Sequence, residues 1–189
     1  MIARIMEALS RVMAILGGLV LLALVVMTCV SIAGRFLGGV LHGAGMDGLA
    51  DGLGIGPVEG DFELVEAAMA FVIFAFLPIT QLRDSHASVD VFTGLLGARP
   101  NRWLTAAWAM LFAAVLILIS WQLWAGTQDK LRYGETTFQL QFPVWWAYAA
   151  ALLGGVVAAL VATYVAVVRV AELVTGAPIL VTDAEGPAH

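Results

Sequence analysis

Long stretches without charge constrain this chain more than any other feature. No Asp, Glu, Lys or Arg lies between Arg11 and Arg35, between Arg102 and Asp129, or between Glu135 and Arg169. A fourth stretch, Leu64–Leu82, carries only Glu66, near its start. A helix that crosses a bilayer needs roughly 20 mostly apolar residues. In hydrocarbon, only helices or a closed barrel satisfy every backbone amide and carbonyl. The runs show none of the period-two alternation a barrel requires. The expected fold is an all-α integral membrane protein with four transmembrane helices and short interfacial helices. The spans fall at about 12–34, 64–82, 103–128 and 144–168.

Composition agrees. Apolar residues make up 61% of the 189 residues and charged residues 12%, far from the balance of soluble domains. Nine Lys+Arg against 14 Asp+Glu leave no basic surface for nucleic acid. The single cysteine, Cys29, excludes an internal disulfide and a cysteine-cluster metal site. The N-terminal run is too long for a signal h-region and is read as a retained first helix. Cleavage after the small residues Ser31 and Ala33 is the alternative.

Orientation follows from the basic residues flanking the spans. Arg4, Arg11, Arg83, Arg99, Arg102 and Arg169 share one side, against Arg35, Lys130 and Arg132 on the other. The richer side belongs in the cytoplasm, so both termini are expected there. Residues 1–174 form one membrane domain and 175–189 a disordered tail. The segment before span one is amphipathic and reads as interfacial, running on into the span; an ordinary charged flank fits equally well. The outer loop, 37–61, is rich in glycine and reads as a mobile tether. The cytoplasmic loop, 83–102, carries an apolar stripe of Val89, Phe92, Leu95 and Leu96. Ser88 is the expected cap of a short interfacial helix, Gly97 its end, Pro100 the block to its continuation, and Asn101 the cap of helix three. Thr137–Pro143 reads as an extended segment at the interface. Pro143 suits the first turn of helix four, and Trp145, Trp146 and Tyr148 suit headgroup depth.

Few residues are placed for chemistry. Glu66 is the sole ionisable group within a span, and a structural pair with Arg35 is the leading reading, ahead of an ion-coupling site. His42, His86 and His189 all lie outside the spans, which weighs against axial haem ligation at membrane depth. His86 with Asp84 and Asp90 lacks metal-site spacing. No catalytic, cofactor or metal residue is assigned. Gly154 with Ala158, and Gly155 with Ala159, are small-xxx-small pairs that let helices approach closely in lipid.

These features together resemble the small membrane subunit (DctQ-type, or Q subunit) of tripartite ATP-independent periplasmic (TRAP) transporters. Helix one closes on Arg35-Phe36 and helix two opens with Glu63-Leu64-Val65-Glu66. Arg83, then His86-Ala87-Ser88-Val89-Asp90, is similar to the family's Arg…His-x-x-Val-Asp signature. Gly134, then Leu140-Gln141-Phe142-Pro143-Val144-Trp145-Trp146-Ala147-Tyr148, is similar to its Gly…Leu-x-x-Pro-x-Trp-x-x-Tyr approach to helix four. The glycine-rich loop departs from the family by its length. The resemblance implies an accessory, non-enzymatic subunit of a sodium-coupled transporter for a small organic solute, expected to be an organic acid. It implies residence in the bacterial inner membrane and two partners, a large (M-type) subunit and, transiently, a periplasmic substrate-binding (P-type) protein. Sodium would bind in the partner subunit. By the same resemblance Arg35 and Glu66 are candidates for outer-side assembly, and Arg83, His86 and Asp90 for the inner side. Gly134, Pro143, Trp145, Trp146, Gly154 and Ala158 complete the candidate interface residues. The alternatives are a membrane anchor of a quinone-linked respiratory complex and a self-associating four-helix protein.

Overall fold

The computed structural model describes residues 1–46, 48, 52, 54, 56–83 and 98–175. It contains four helices long and apolar enough to cross a membrane: α1 (Ile2–Gly43), α2 (Asp61–Leu82), α3 (Ala98–Tyr133) and α4 (Trp145–Thr175). The interfacial helix expected within 83–102, and the tail beyond Thr175, lie outside the described residues, as do His86 and Asp90.

Two helix limits differ from the sequence reading. The 42 residues of α1 would extend about 60 Å at 1.5 Å per residue, twice a bilayer core. The helix therefore takes in the amphipathic N-terminal segment and also continues through Gly38-Gly39 into the expected loop. Gly38 is buried, and packing outweighs its poor helix propensity there. At the other correction, α3 begins at Ala98, so Asn101 is not its cap. Pro100 falls in its first turn, where amides lack intrahelical acceptors anyway.

The helices pack as a row in the order α1, α2, α4, α3. α1 lies on α2 and touches α4 only lightly, while α3 lies on α4. Small residues set the contacts. On α1 the buried positions Ser10, Gly17, Leu24, Ser31 and Gly38 recur every seventh residue, the seam of helices crossing at a shallow angle. On α4 the buried face holds Ala151, Gly154, Gly155, Ala158, Ala159, Ala162 and Ala166. A core of Ala109, Ala113 and Leu116 from α3 meets this face, with Leu77 and Phe112 packed against it. Without a hydrophobic drive between helices in lipid, such close approach supplies the attraction.

Gly154 and Ala158 are thus internal. A Cβ on Gly154 would stand 2.8 Å from that of Phe74, and Ala158 is fully buried. Within the chain, the small face of α4 is covered by α2 and α3. Several hydroxyls inside the spans turn back onto their own helices. Thr28, Ser120, Thr127 and Thr163 each donate to the carbonyl four residues earlier at 2.7–2.8 Å, which keeps them satisfied in an apolar surround.

The seam makes a clear prediction. A Cβ on Gly17 would stand 2.8 Å from the Cβ of Ala75, whereas one on Gly18 meets nothing within 4 Å. Gly17→Ala should destabilise the detergent-solubilised protein by about 1–3 kcal/mol through overpacking. Gly18→Ala should be neutral or slightly stabilising. Thermal unfolding of the two variants checks this.

Candidate functional site

At one end of the row, the start of α2 gathers α1 and the α3–α4 connection around two carboxylates. We call this the hairpin end and the opposite one the terminal end. Gly60 caps α2 with φ of 72°, a conformation that favours glycine. A side chain there would also strike Leu140. Asp61 and Glu63 follow in the first turn, where the helix dipole favours negative charge.

Asp61 joins α2 to α1. It accepts the hydroxyl of Ser31 at 2.5 Å and the guanidinium of Arg35 at 3.2 Å. Its other oxygen accepts the Phe62 amide at 2.8 Å. Ser31 is fully buried and uses its remaining lone pair to accept the Val58 amide at 3.2 Å. The Arg35 guanidinium also lies over the Phe62 ring, 5.9 Å from its centre, within cation–π range. One turn from Ser31, Gly34 packs on the backbone of Gly56, whose carbonyl any Cβ would strike.

The Arg35 partner is therefore Asp61 and not the expected Glu66. Five residues along a helix turn a side chain by about 140° and move it about 7.5 Å deeper. Glu66 thus points to the far side of α2 from Arg35. It is exposed and lines a cavity of about 650 Å³ with Ala67, Ala70, Ala147, Tyr148 and Ala151.

Glu63 joins α2 to the connection. Its two oxygens accept the backbone amides of Gln139 at 2.6 Å and Leu140 at 2.9 Å. Those amides belong to a short hairpin opened by Gly134, at φ 61°, and held by an isolated antiparallel bridge from Thr136 to Pro143. Within it the Thr137 amide donates to Phe142 O at 2.8 Å and the Val144 amide to Glu135 O at 3.0 Å. Lys130 anchors the hairpin to α3 through Glu135 at 2.5 Å. Gln141 adopts φ 54° and steadies the turn by donating to Phe138 O at 3.0 Å. The extended interface segment read from Thr137–Pro143 is therefore a folded turn. At its tip Phe138 is 95% exposed. Behind it Phe142, Trp146 and Trp145 meet edge-on, with ring centres 5.6 and 5.7 Å apart.

At the terminal end, Arg169 and Glu172 form a largely buried pair at 2.9 Å, and Gln81 is buried in α2's last turn. Arg83 caps α2 with its amide on Ile79 O. Ser31, Asp61, Glu63, Arg169 and Glu172 were not among the candidate interface residues read from the sequence. The heptad spacing of Ser31 from Gly17 and Leu24 was the available signal.

A family model described as tripartite ATP-independent periplasmic transporters, DctQ component, matches residues 24–173. The chain belongs to the DctQ family. It is a small permease subunit of the TRAP type and a multi-pass membrane protein, and its family works within tripartite transporters beside DctM and DctP partners. The matched region contains the whole Ser31–Arg35–Asp61 junction, the Glu63-held hairpin and the Arg169–Glu172 pair. No curated protein and no solved structure matches the chain significantly. In this DctQ-family chain, what had been read as separate motif pieces converges: Arg35, Gly134 and Pro143 all lie at the hairpin end, organised by the first turn of α2.

Removing the Glu63 carboxylate should release the hairpin without unfolding the row. Glu63→Ala is expected to raise amide exchange at Gln139 and Leu140 about tenfold, the weight of one charge-assisted hydrogen bond. Exchange at α4 core amides such as Ala158 should not change. Hydrogen–deuterium exchange read by mass spectrometry distinguishes the two regions.

Proposed function

We propose that this chain is the static small permease subunit of a sodium-coupled TRAP-type uptake system in a bacterial inner membrane. The observation that carries the reading is the family match across residues 24–173, laid on a row of helices whose two flanks present broad apolar faces. On α1 these faces include Leu19, Leu22, Val26 and Val30; on α3 they include Trp108, Leu111, Leu118 and Trp121. One flank is the surface proposed to meet the large subunit, which would hold the sodium and solute sites. The other would meet lipid. The solute is proposed to be a small organic acid. A wide, close-packed row suits a fixed support against which a mobile element can work.

Both termini are proposed to be cytoplasmic, which places the hairpin end in the periplasm. A rigid turn that offers Phe138 to water suits reception of the periplasmic binding protein: exposed aromatics on stiff supports are the usual anchors of interfaces. This chain is proposed to bind no cofactor of its own.

The reading is tested by purifying the chain from native membranes in mild detergent. An equimolar large polytopic subunit should accompany it, and solute uptake should vanish on deletion of this chain. Recovery of the chain alone would contradict the accessory role. In proteoliposomes, Phe138→Ala should raise by about fivefold the binding-protein concentration needed for half-maximal uptake. The maximal rate should stay unchanged, since the hairpin's own hydrogen bonds do not use that ring.

A further inference from the structure

The cavity beside Glu66 has no role in the function proposed above, and it is large enough to hold a small molecule. It is lined by Ala147 and Ala151 of α4, Leu123 of α3 and the first turns of α2. Thr137, Phe138 and Phe142 of the hairpin also line it. From Glu63 to Ala70 it runs along α2 for about 10 Å toward the middle of the membrane. Its lower lining is alanine and leucine, and its upper part carries Glu66 beside Tyr148 and Phe142. Among the described residues, no cation or hydrogen-bond donor pairs with the Glu66 carboxylate. A carboxylate at membrane depth is costly unless it reaches water or gains a cationic partner.

We propose that this cavity binds a membrane amphiphile with a primary ammonium headgroup, the chemistry of phosphatidylethanolamine. The ammonium donates to the Glu66 carboxylate and rests against the faces of Tyr148 and Phe142. The first methylenes of the chain lie in the alanine-lined trough below. Two features favour a lipid over a lysine side chain of a partner subunit. The volume, about 650 Å³, falls in the range of small-molecule pockets, and a single side chain would leave most of it empty. The trough also continues past the carboxylate toward the bilayer centre, which matches a molecule with its charge at one end and a hydrocarbon tail behind it. A primary ammonium is preferred to a quaternary one because only the former has N–H groups to donate to a carboxylate.

The test is native mass spectrometry of the full chain, with any co-purifying subunits, titrated with dioleoyl phosphatidylethanolamine, phosphatidylcholine or phosphatidylglycerol. One site should take phosphatidylethanolamine about fivefold more tightly than phosphatidylcholine, the weight of one partly exposed ion pair. Glu66→Gln should abolish that preference while leaving the melting temperature unchanged, since the carboxylate makes no internal contact. Ala70→Phe, which fills the trough, should remove binding of both lipids. Equal affinity for the two lipids, or a preference that survives Glu66→Gln, would overturn the proposal. So would undiminished binding in Ala70→Phe, or carbodiimide coupling of Glu66 to a lysine of a partner subunit.

Discussion

Close approach of small side chains is the constraint on which the rest of this structure depends. Lipid gives apolar helices no reason to associate, so contact must come from packing and from a few shared polar bonds. The heptad seam of α1 and the glycine–alanine face of α4 provide the packing. Because each seam lies on one side of its helix, the helices join as a row, with α2 and α4 at the centre and α1 and α3 at the edges. The edges then keep their apolar residues outward. Large exposed faces follow directly from where glycine, alanine and serine are placed.

Polar bonds fix the ends of the row. Most hydroxyls within the spans bond their own helix, but Ser31 reaches across to Asp61. That carboxylate, with Glu63 two residues later, turns the first turn of α2 into the node that holds α1 on one side and the α3–α4 hairpin on the other. Neighbouring residues of one helix turn thus perform separate tasks because their side chains leave the axis in different directions. The same geometry leaves Glu66 on a third side, facing a cavity. Arg35 and Glu66 seemed natural partners in the sequence, since Arg35 ends helix one and Glu66 lies in the first turns of helix two, on the same side of the membrane. Linear distance along the chain did not include the rotation between Asp61 and Glu66.

The fold was largely legible before the structure, because charge-free runs of bilayer length admit few solutions. Four helices and the family both emerged from that reading and from the order of short motifs. The site was less legible. Gly38-Gly39 looked like a loop because glycine is a poor helix former, yet burial on the seam keeps it helical. Gly154 and Ala158 were recognisable as a close-packing pair, but sequence alone does not say whether the partner helix belongs to the same chain. The hairpin escaped because its turn uses Gln141 at positive φ, a position where asparagine or glycine is the usual marker.

The open row matters most, since the proposed support role and the free flanks both depend on it. Spin labels at Leu19 on α1 and Leu118 on α3, both exposed and near the middle of their helices, test it through pulsed electron–electron distances in the reconstituted protein. Three helix-to-helix steps of about 8–10 Å each predict a single distance distribution centred beyond about 20 Å, unchanged when partner subunits are present. A distribution centred near 10 Å would mean that the chain closes into a bundle, with α1 against α3, and would contradict the account.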